Sequence, residues 1–236
     1  METNPVILPA NQSVRDKDFP KTPISPYHHA MDEKNIIADK DTDEIIWKKC
    51  HSNDLWVFDK LILSRVLGYT CGPTGLPVPK PDFYCVRPIS NFLGMGRNAR
   101  IEWVDESTEH FHPAEFWCEV FRGDHLSVDF YKKESQLVVL GEREKNSPLY
   151  RWKKWSKIDK KIGFPPILSS LTGNYDWINC EFIGDNLIEV HFRQNPNFLY
   201  ENTEAIPIWD DLPQEKYAKY KFIESKKFLR KGFYVK

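Results

Sequence analysis

The run Ile178–Phe198 constrains the fold most, because its apolar residues recur at every second position and not at every third or fourth. Ile188, Val190 and Phe192 alternate with Glu189, His191 and Arg193. Successive side chains of a strand point to opposite faces, so the first three enter a core while the acid, the imidazole and the guanidinium share the other face. Ile178, Cys180 and Phe182 alternate in the same way with Glu181. Between the two runs, Gly184-Asp185-Asn186 supplies residues that tolerate positive φ in a tight hairpin. Such a hairpin sets Glu181 near Glu189. Paired carboxylates repel unless a cation lies between them, and hard oxygen ligands favour Mg2+, Mn2+ or Ca2+. The same alternation also describes an ordinary hairpin with one solvated polar face, in which Glu189 and Arg193 are surface partners.

With 236 residues the chain can bury a sizeable core as one large domain or two small ones. Its 33 Lys and Arg nearly balance 34 Asp and Glu, so no global field draws it to nucleic acid or an anionic membrane, and any anion site must be local. Cys50, Cys71, Cys85, Cys118 and Cys180 are odd in number and include no Cys-x-x-Cys pair. This argues against a zinc cluster or a complete disulfide framework and predicts a reducing compartment. No apolar run reaches the ~18 residues of a membrane span, and no basic-then-apolar leader opens the sequence. A cytoplasmic protein without a membrane partner is therefore expected.

Residues 1–50 include Pro5, Pro9, Pro20, Pro23 and Pro26 and read as an extended N-terminal arm, in which His28 and His29 lack the spaced partners of a metal site. Leu55, Phe58, Leu61, Ile62 and Val66 recur at helical spacing between a Ser52 or Asn53 cap and a Gly68 stop, predicting a helix that carries Lys60. A connector rich in Gly and Pro follows from Cys71 to Pro81. Residues 82–89 read as a buried strand that emerges at Arg87. The next turn contains Gly94, Gly96, Arg97 and Arg100. Its glycines either let backbone amides approach a phosphate or simply make a hairpin turn.

Further strands over 101–104, 116–121, 125–131 and 136–140 come in neighbouring hairpins, which favours antiparallel sheet. Residues 151–161 interleave six basic residues with Trp152 and Trp155. Stacking on nucleic acid, a helix that buries its tryptophan face and a lid loop all agree with that pattern. The helix is the simplest, since no basic stripe exists elsewhere. Ser169–Gly173 brings hydroxyls close in sequence to the hairpin, and residues 214–228 read as a closing helix.

The order of these pieces resembles the ATP-grasp superfamily, the carboxylate–amine and carboxylate–thiol ligases that include D-alanine:D-alanine ligase, glutathione synthetase and biotin carboxylase. The resemblance runs through scattered motifs over residues 53–198. Asp59-Lys60 precedes the Pro-rich connector, and Val86-Arg87-Pro88 stands where Val-Lys-Pro is usual, ahead of Gly94-Met95-Gly96. Glu119-Val120-Phe121-Arg122-Gly123 matches the strand with a Glu at the adenine hinge and a Gly four residues on. Glu181 and then Glu189-Val190-His191-Phe192-Arg193 match the acid and the Glu-x-Asn-x-Arg strand.

The resemblance implies an α+β fold in which two antiparallel-sheet subdomains, residues 51–115 and 116–236, grip a nucleotide. It implies ATP with Mg2+ or Mn2+, with Lys60, Arg87, Gly94, Gly96, Glu119, Val120 and Phe121 around the nucleotide. Glu181, Glu189 and His191 would hold the metal, and Arg87 and Arg193 would be the catalytic cations. His191 in place of Asn favours Mn2+ over Mg2+. The implied reaction activates a carboxylate as an acyl phosphate and joins it to an amine or another nucleophile. Two alternatives stand beside it: a nucleotide-binding protein without ligase chemistry, and a nucleic-acid-binding module at 151–161. Residues 1–50 are too short for the N-terminal α/β domain of most relatives. The second substrate would then come from a partner or be a macromolecule.

Overall fold

Pairing in both sheets is antiparallel, and residues 125–131 and 134–143 form a hairpin as expected, but the strands over 101–104, 116–121 and 125–131 do not pair with one another. The computed structural model describes residues 43–90, 96–143, 147–198, 200–210, 217, 219–227 and 229–236, so His28, His29 and Gly94 lie outside the described residues. Strands β1 (Cys71–Pro73), β2 (Asp82–Pro88), β3 (Arg100–Val104) and β4 (Glu115–Glu119) form a four-stranded sheet in the order β1-β4-β2-β3. A larger sheet holds β5 (His125–Tyr131), β6 (Glu134–Arg143), β7 (Trp152–Lys157), β8 (Trp177–Ile183), β9 (Asn186–His191), β10 (Glu204–Trp209), β11 (Lys221–Lys227) and β12 (Arg230–Val235). Its order is β11-β12-β10-β7-β6-β5-β8-β9. With few helices beside these sheets, the fold is α+β, as expected. None of the described helices is long and apolar enough to cross a membrane.

Four expectations need correction. The end of the arm is not extended, since Asp43–Lys49 forms helix α1. The predicted helix over 52–68 is broken: a 3-10 segment, Ser52–Phe58, stops at Asp59, whose backbone is extended (φ −89°, ψ 102°). There the Asp59 carboxylate accepts from Ile62 N at 2.8 Å and starts helix α2 (Lys60–Val66), so an N-cap in mid-run divides the pattern. The described parts of 151–161 and 214–228 contain strand and not helix, namely β7 and β11 of the β11–β12 hairpin. Finally, β4 belongs to the small sheet, so the boundary between the sheets falls after Glu119 and not at residue 115.

Alternation decides which face of the large sheet is core. Leu126, Val128 and Phe130 of β5 join Val138, Ile178, Cys180 and Val190, and Ile46, Val57 and Leu63 from the helical segments close over them. Phe192 lies flat on Tyr175, with ring centroids 3.8 Å apart and planes 6° apart, while the Tyr175 hydroxyl donates to buried Asp54 at 2.8 Å. The opposite face of β5 and β8 carries His125, Ser127 and Glu181 and looks into the cleft. Phe192 is 1% exposed and its ring fills a close-packed site. Phe192→Ala should therefore destabilise the fold by about 3–5 kcal/mol, read from the urea midpoint at constant m.

Candidate active site

A cavity of about 530 Å3 is walled by both sheets. Cys85, Arg87 and Cys118 of the small sheet line it on one side, and Ser127, Glu181 and Glu189 of the large sheet on the other. Glu181 and Glu189 are direct register partners of β8 and β9, the pairing that the hairpin reading anticipates. The polar face of this hairpin is not solvated. Glu189, His191 and Arg193 are each at most 8% exposed, because α1 and α2 approach β9 from the side.

These buried charges form an alternating chain. Arg193 grips Asp43 of α1 with two bonds, Nε to Oδ1 at 2.8 Å and Nη2 to Oδ2 at 2.6 Å. His191 bridges two acids, its Nδ1 lying 3.0 Å from Asp43 Oδ1 and its Nε2 3.3 Å from Glu189 Oε1. Glu189 Oε2 then meets Lys60 Nζ at 3.1 Å. Burial and the Arg193 charge disfavour protonated His191, yet the two acids outweigh them and raise its pKa to about 9. Burial likewise opposes the charge on Asp43, but His191 and Arg193 hold its carboxyl well below the usual range. Burial lowers the pKa of Lys60, against the pull of Glu189.

Arg87 has a different environment. It is 8% exposed, its guanidinium lies 5.2 Å over the Phe116 ring, and its buried Nε donates to no group among the described residues. Arg143 of β6 resembles it: the guanidinium stacks 4.0 Å above Trp152, Nη2 reaches His125 Nδ1 at 3.3 Å, and Nη1 is buried without a described partner. The other nitrogen of His125, Nε2, lies 3.1 Å from Glu181 Oε2. Burial pushes the Glu181 pKa up, but the His125 contact prevails and the net shift is downward. Sequence reading missed Arg143, His125 and Asp43, because strand pairing and α1 bring them in from distant positions.

The remaining expected residues divide. Glu119, Val120, Phe121 and Gly96 line the cavity; Gly96 has φ +61°, and Glu119 Oε1 also accepts from Thr70 N at 2.8 Å. Arg97 lines it too, whereas Arg100 is engaged by Glu102 (2.7 Å) and Glu115 (2.8 Å). Ser169–Gly173 ends in a 3-10 turn, Leu171–Gly173, that buries Leu171, and does not line the cavity. Beneath the floor, Asp129 accepts from Asn179 Nδ2 and Asn195 N at 2.8 Å each, and burial still raises its pKa to about 6. This network fixes the segment that follows Arg193.

The donor set fits a polyanion and one hard cation. Orphaned N–H groups on Arg87 and Arg143 need an acceptor, and the Glu181/Glu189 pair supplies two carboxylates. His191 has no free lone pair while it bridges Asp43 and Glu189, so ligation by it requires one of those contacts to open. Among the described residues, no three His, Cys, Asp or Glu side chains are disposed as a ready metal cage.

No family model and no curated protein matches the sequence. Among solved structures, the chain is similar to one from Archaeoglobus fulgidus described as an ATP-grasp superfamily protein, with TM-score 0.43 and 10% identity over 76% of this chain and 64% of that one. It is also similar to the ATP-grasp ligase PsnB complexed with minimal precursor, with TM-score 0.36 and 11% identity over 58% of this chain and 51% of that one. It thus spans less than two thirds of either structure.

The linkage of His191 has a definite sign. A pKa raised from 6.5 to about 9 contributes stability that is complete below about 6.5 and lost as pH rises through 9, on the order of 3 kcal/mol. In metal-free buffer the unfolding free energy of the parent should fall between pH 6.5 and 9.5, and that of His191→Asn should fall less. Equal slopes would detach His191 from the charge chain.

Proposed function

We propose that the chain is an ATP-dependent ligase that activates a carboxylate by phosphoryl transfer and joins it to an amine or another nucleophile. The observation that carries this reading is Arg87: a buried guanidinium in the cavity wall with an orphaned N–H, facing a paired set of carboxylates on the other sheet. A buried cation without a counter-anion is unfavourable, and an anionic ligand relieves it. The paired acids opposite, although held by Lys60, His191 and His125, keep carboxylate lone pairs that a divalent cation can share. A nucleoside triphosphate with a divalent ion satisfies both at once, while neither a neutral ligand nor a bare anion does.

In this reading Arg87 and Arg143 donate to phosphate oxygens, and their aromatic supports keep the guanidinium planes fixed before the ligand arrives. Glu181 and Glu189 hold Mg2+ or Mn2+, which supplies neutralisation of the terminal phosphates when bound. Lys60 keeps Glu189 ionised and aimed into the cleft, and His191 serves as a cation and not as a metal ligand while Asp43 holds it. The carboxylate of the acceptor attacks the γ-phosphorus, and ADP leaves as the acyl phosphate forms. Arg193 steadies the anionic acceptor where its fork is shared with Asp43. No protein nucleophile is needed, since every reacting oxygen carries or gains negative charge. Glu119, Val120 and Phe121 bound the adenine end, with Phe121 braced at 4.6 Å against Tyr69.

The test is ADP release from ATP with Mg2+ or Mn2+, screened over amino acids and small carboxylic acids. Saturating ATP with either ion, at about 100 times its dissociation constant, should add about 2.7 kcal/mol of stability. Arg87→Gln should weaken ATP binding roughly 10- to 100-fold through loss of charged hydrogen bonds. Glu181→Gln should abolish acid-stimulated ADP release while leaving the melting temperature near that of the parent. A melt unmoved by millimolar ATP and both ions refutes nucleotide binding; binding without acid-stimulated ADP release leaves a nucleotide-binding protein alone.

A further inference from the structure

The cavity does not end at the reacting groups. It continues across β6, β7, β10 and β12 to Trp152, Trp155, Trp209 and Arg230. Register links these strands in a row: Arg143 pairs with Trp152, Trp209 Nε1 donates to Trp152 O at 3.3 Å, and Trp209 pairs with Arg230. Irregularities of pairing fall at Glu142/Arg143 and at Ile208/Trp209. A bulge re-aims the side chain beside it, and both of these stand where a cavity-lining side chain is presented. From Arg143 to Arg230 is three strand spacings, about 14 Å between backbones.

Arg230 is unusual for a buried cation. It is 3% exposed, it rests 4.2 Å over Phe233, and its described bonds are to neutral oxygens, Nε to Ser225 O at 3.2 Å and Nη2 to Ser225 Oγ at 3.1 Å. Burial alone pulls its pKa down to about 10, without a described carboxylate to oppose it. Described acids on this part of the sheet are engaged elsewhere: Asp210 with Lys231 at 3.3 Å, and Glu142 and Glu204 with Lys154 at 3.5 and 3.4 Å. Among the described residues Nη1 has no acceptor, and the side chain lines the cavity. Trp152, Trp155 and Trp209 occupy the same stretch of wall, Trp152 and Trp155 T-shaped with ring centroids 6.1 Å apart.

We propose that Arg230, with Trp152, Trp155 and Trp209, forms a second ligand subsite in this cavity, which takes the carboxylate or phosphate of an acceptor with a flat apolar body. Arg230 anchors the anionic group and the indoles cover the body. The occupant then reaches from Arg230 towards Arg143 and the Glu181/Glu189 pair. That this occupant is the acceptor of the ligase reaction rests on the function proposed above; that an arylcarboxylate or aryl phosphate binds here does not.

The experiment is calorimetric titration of the whole 236-residue chain, without ATP, using 3-phenylpropionate, its primary amide 3-phenylpropionamide, and phenyl phosphate. At least one anion should bind at least tenfold more tightly than the amide, and the tighter of the two identifies the headgroup. Arg230→Gln should abolish this preference while leaving amide binding unchanged. Because Ser225 is held by Arg230, that variant has a companion measurement on the parent: with 5-fluorotryptophan incorporated, the preferred anion should shift the resonances of Trp152, Trp155 or Trp209. The subsite is refuted if neither anion is preferred to the amide, if folded Arg230→Gln keeps the preference, or if those three resonances do not move. A melt with ATP and Mg2+ on the same preparation separates the two readings. Stabilisation by ATP without anion preference sinks only the subsite, and anion preference without stabilisation sinks only the nucleotide reading.

Discussion

The arrangement depends on the burial of Glu189 between two cations. A carboxylate at 8% exposure is expensive to ionise unless it is paired, and Lys60 at 3.1 Å and His191 at 3.3 Å do this from separate elements. The chain extends through Asp43 to Arg193, so α1, α2 and β9 are joined by one run of alternating charge. Removal of Glu189 strips Lys60 of its carboxylate, and removal of Asp43 does the same to Arg193, so the two acids tie the elements together. The run also begins and ends on a cation. With Arg87 and Arg143 added, positive groups outnumber Asp43, Glu181 and Glu189 at this end of the cleft. In a cleft with low-dielectric walls that excess is felt strongly by an entering anion, although the whole chain carries a formal charge of −1.

Local periodicity made the heart of this site legible. A period of two, broken by Gly184-Asp185-Asn186, predicts the β8–β9 hairpin, but the juxtaposition of Glu181 and Glu189 comes from a one-residue bulge at Ile188. Phe182 pairs with Leu187 and Glu181 with Glu189, and Ile188, expected to enter the core with Val190, lines the cavity instead. Nothing local tells whether the polar face is wet, and here helices from earlier in the sequence cover it. Asp43 is 150 residues from Arg193, so no window of sequence contains their contact. The misread helices have a related cause. Trp152 and Trp155, or Tyr217 and Tyr220, are three apart and look helical, but Trp152 and Trp155 both line the cavity because the strand slips by one residue at Glu142/Arg143. A bulge restores to one face residues that strict alternation would separate. The same slip presents Arg143, the most consequential omission, whose role arises from its place beside His125 and Trp152 and not from any motif.

The connection between the sheets ties one end of the cleft to its carboxylates. After β4 the chain passes through Glu119–Asp124 and enters β5, while the tip of the β8–β9 hairpin closes on that passage: Gly184 N donates to Asp124 O at 2.9 Å. Both glycines at the contact are required. Gly123 has φ +119° and a Cβ there would lie 2.8 Å from Gly184 Cα, while Gly184 has φ +59° and a Cβ would lie 2.7 Å from Arg122 O. The backbone of this connection therefore rests directly on the hairpin that carries Glu181 and Glu189, with no side chain between to absorb a displacement. A shift of Val120 and Phe121, which line the cavity, is transmitted to the hairpin tip, three residues from Glu181 and five from Glu189. The alternating charge chain holds the other end of β9 against α1 and α2, so the hairpin is clamped at both ends and the two carboxylates keep their spacing.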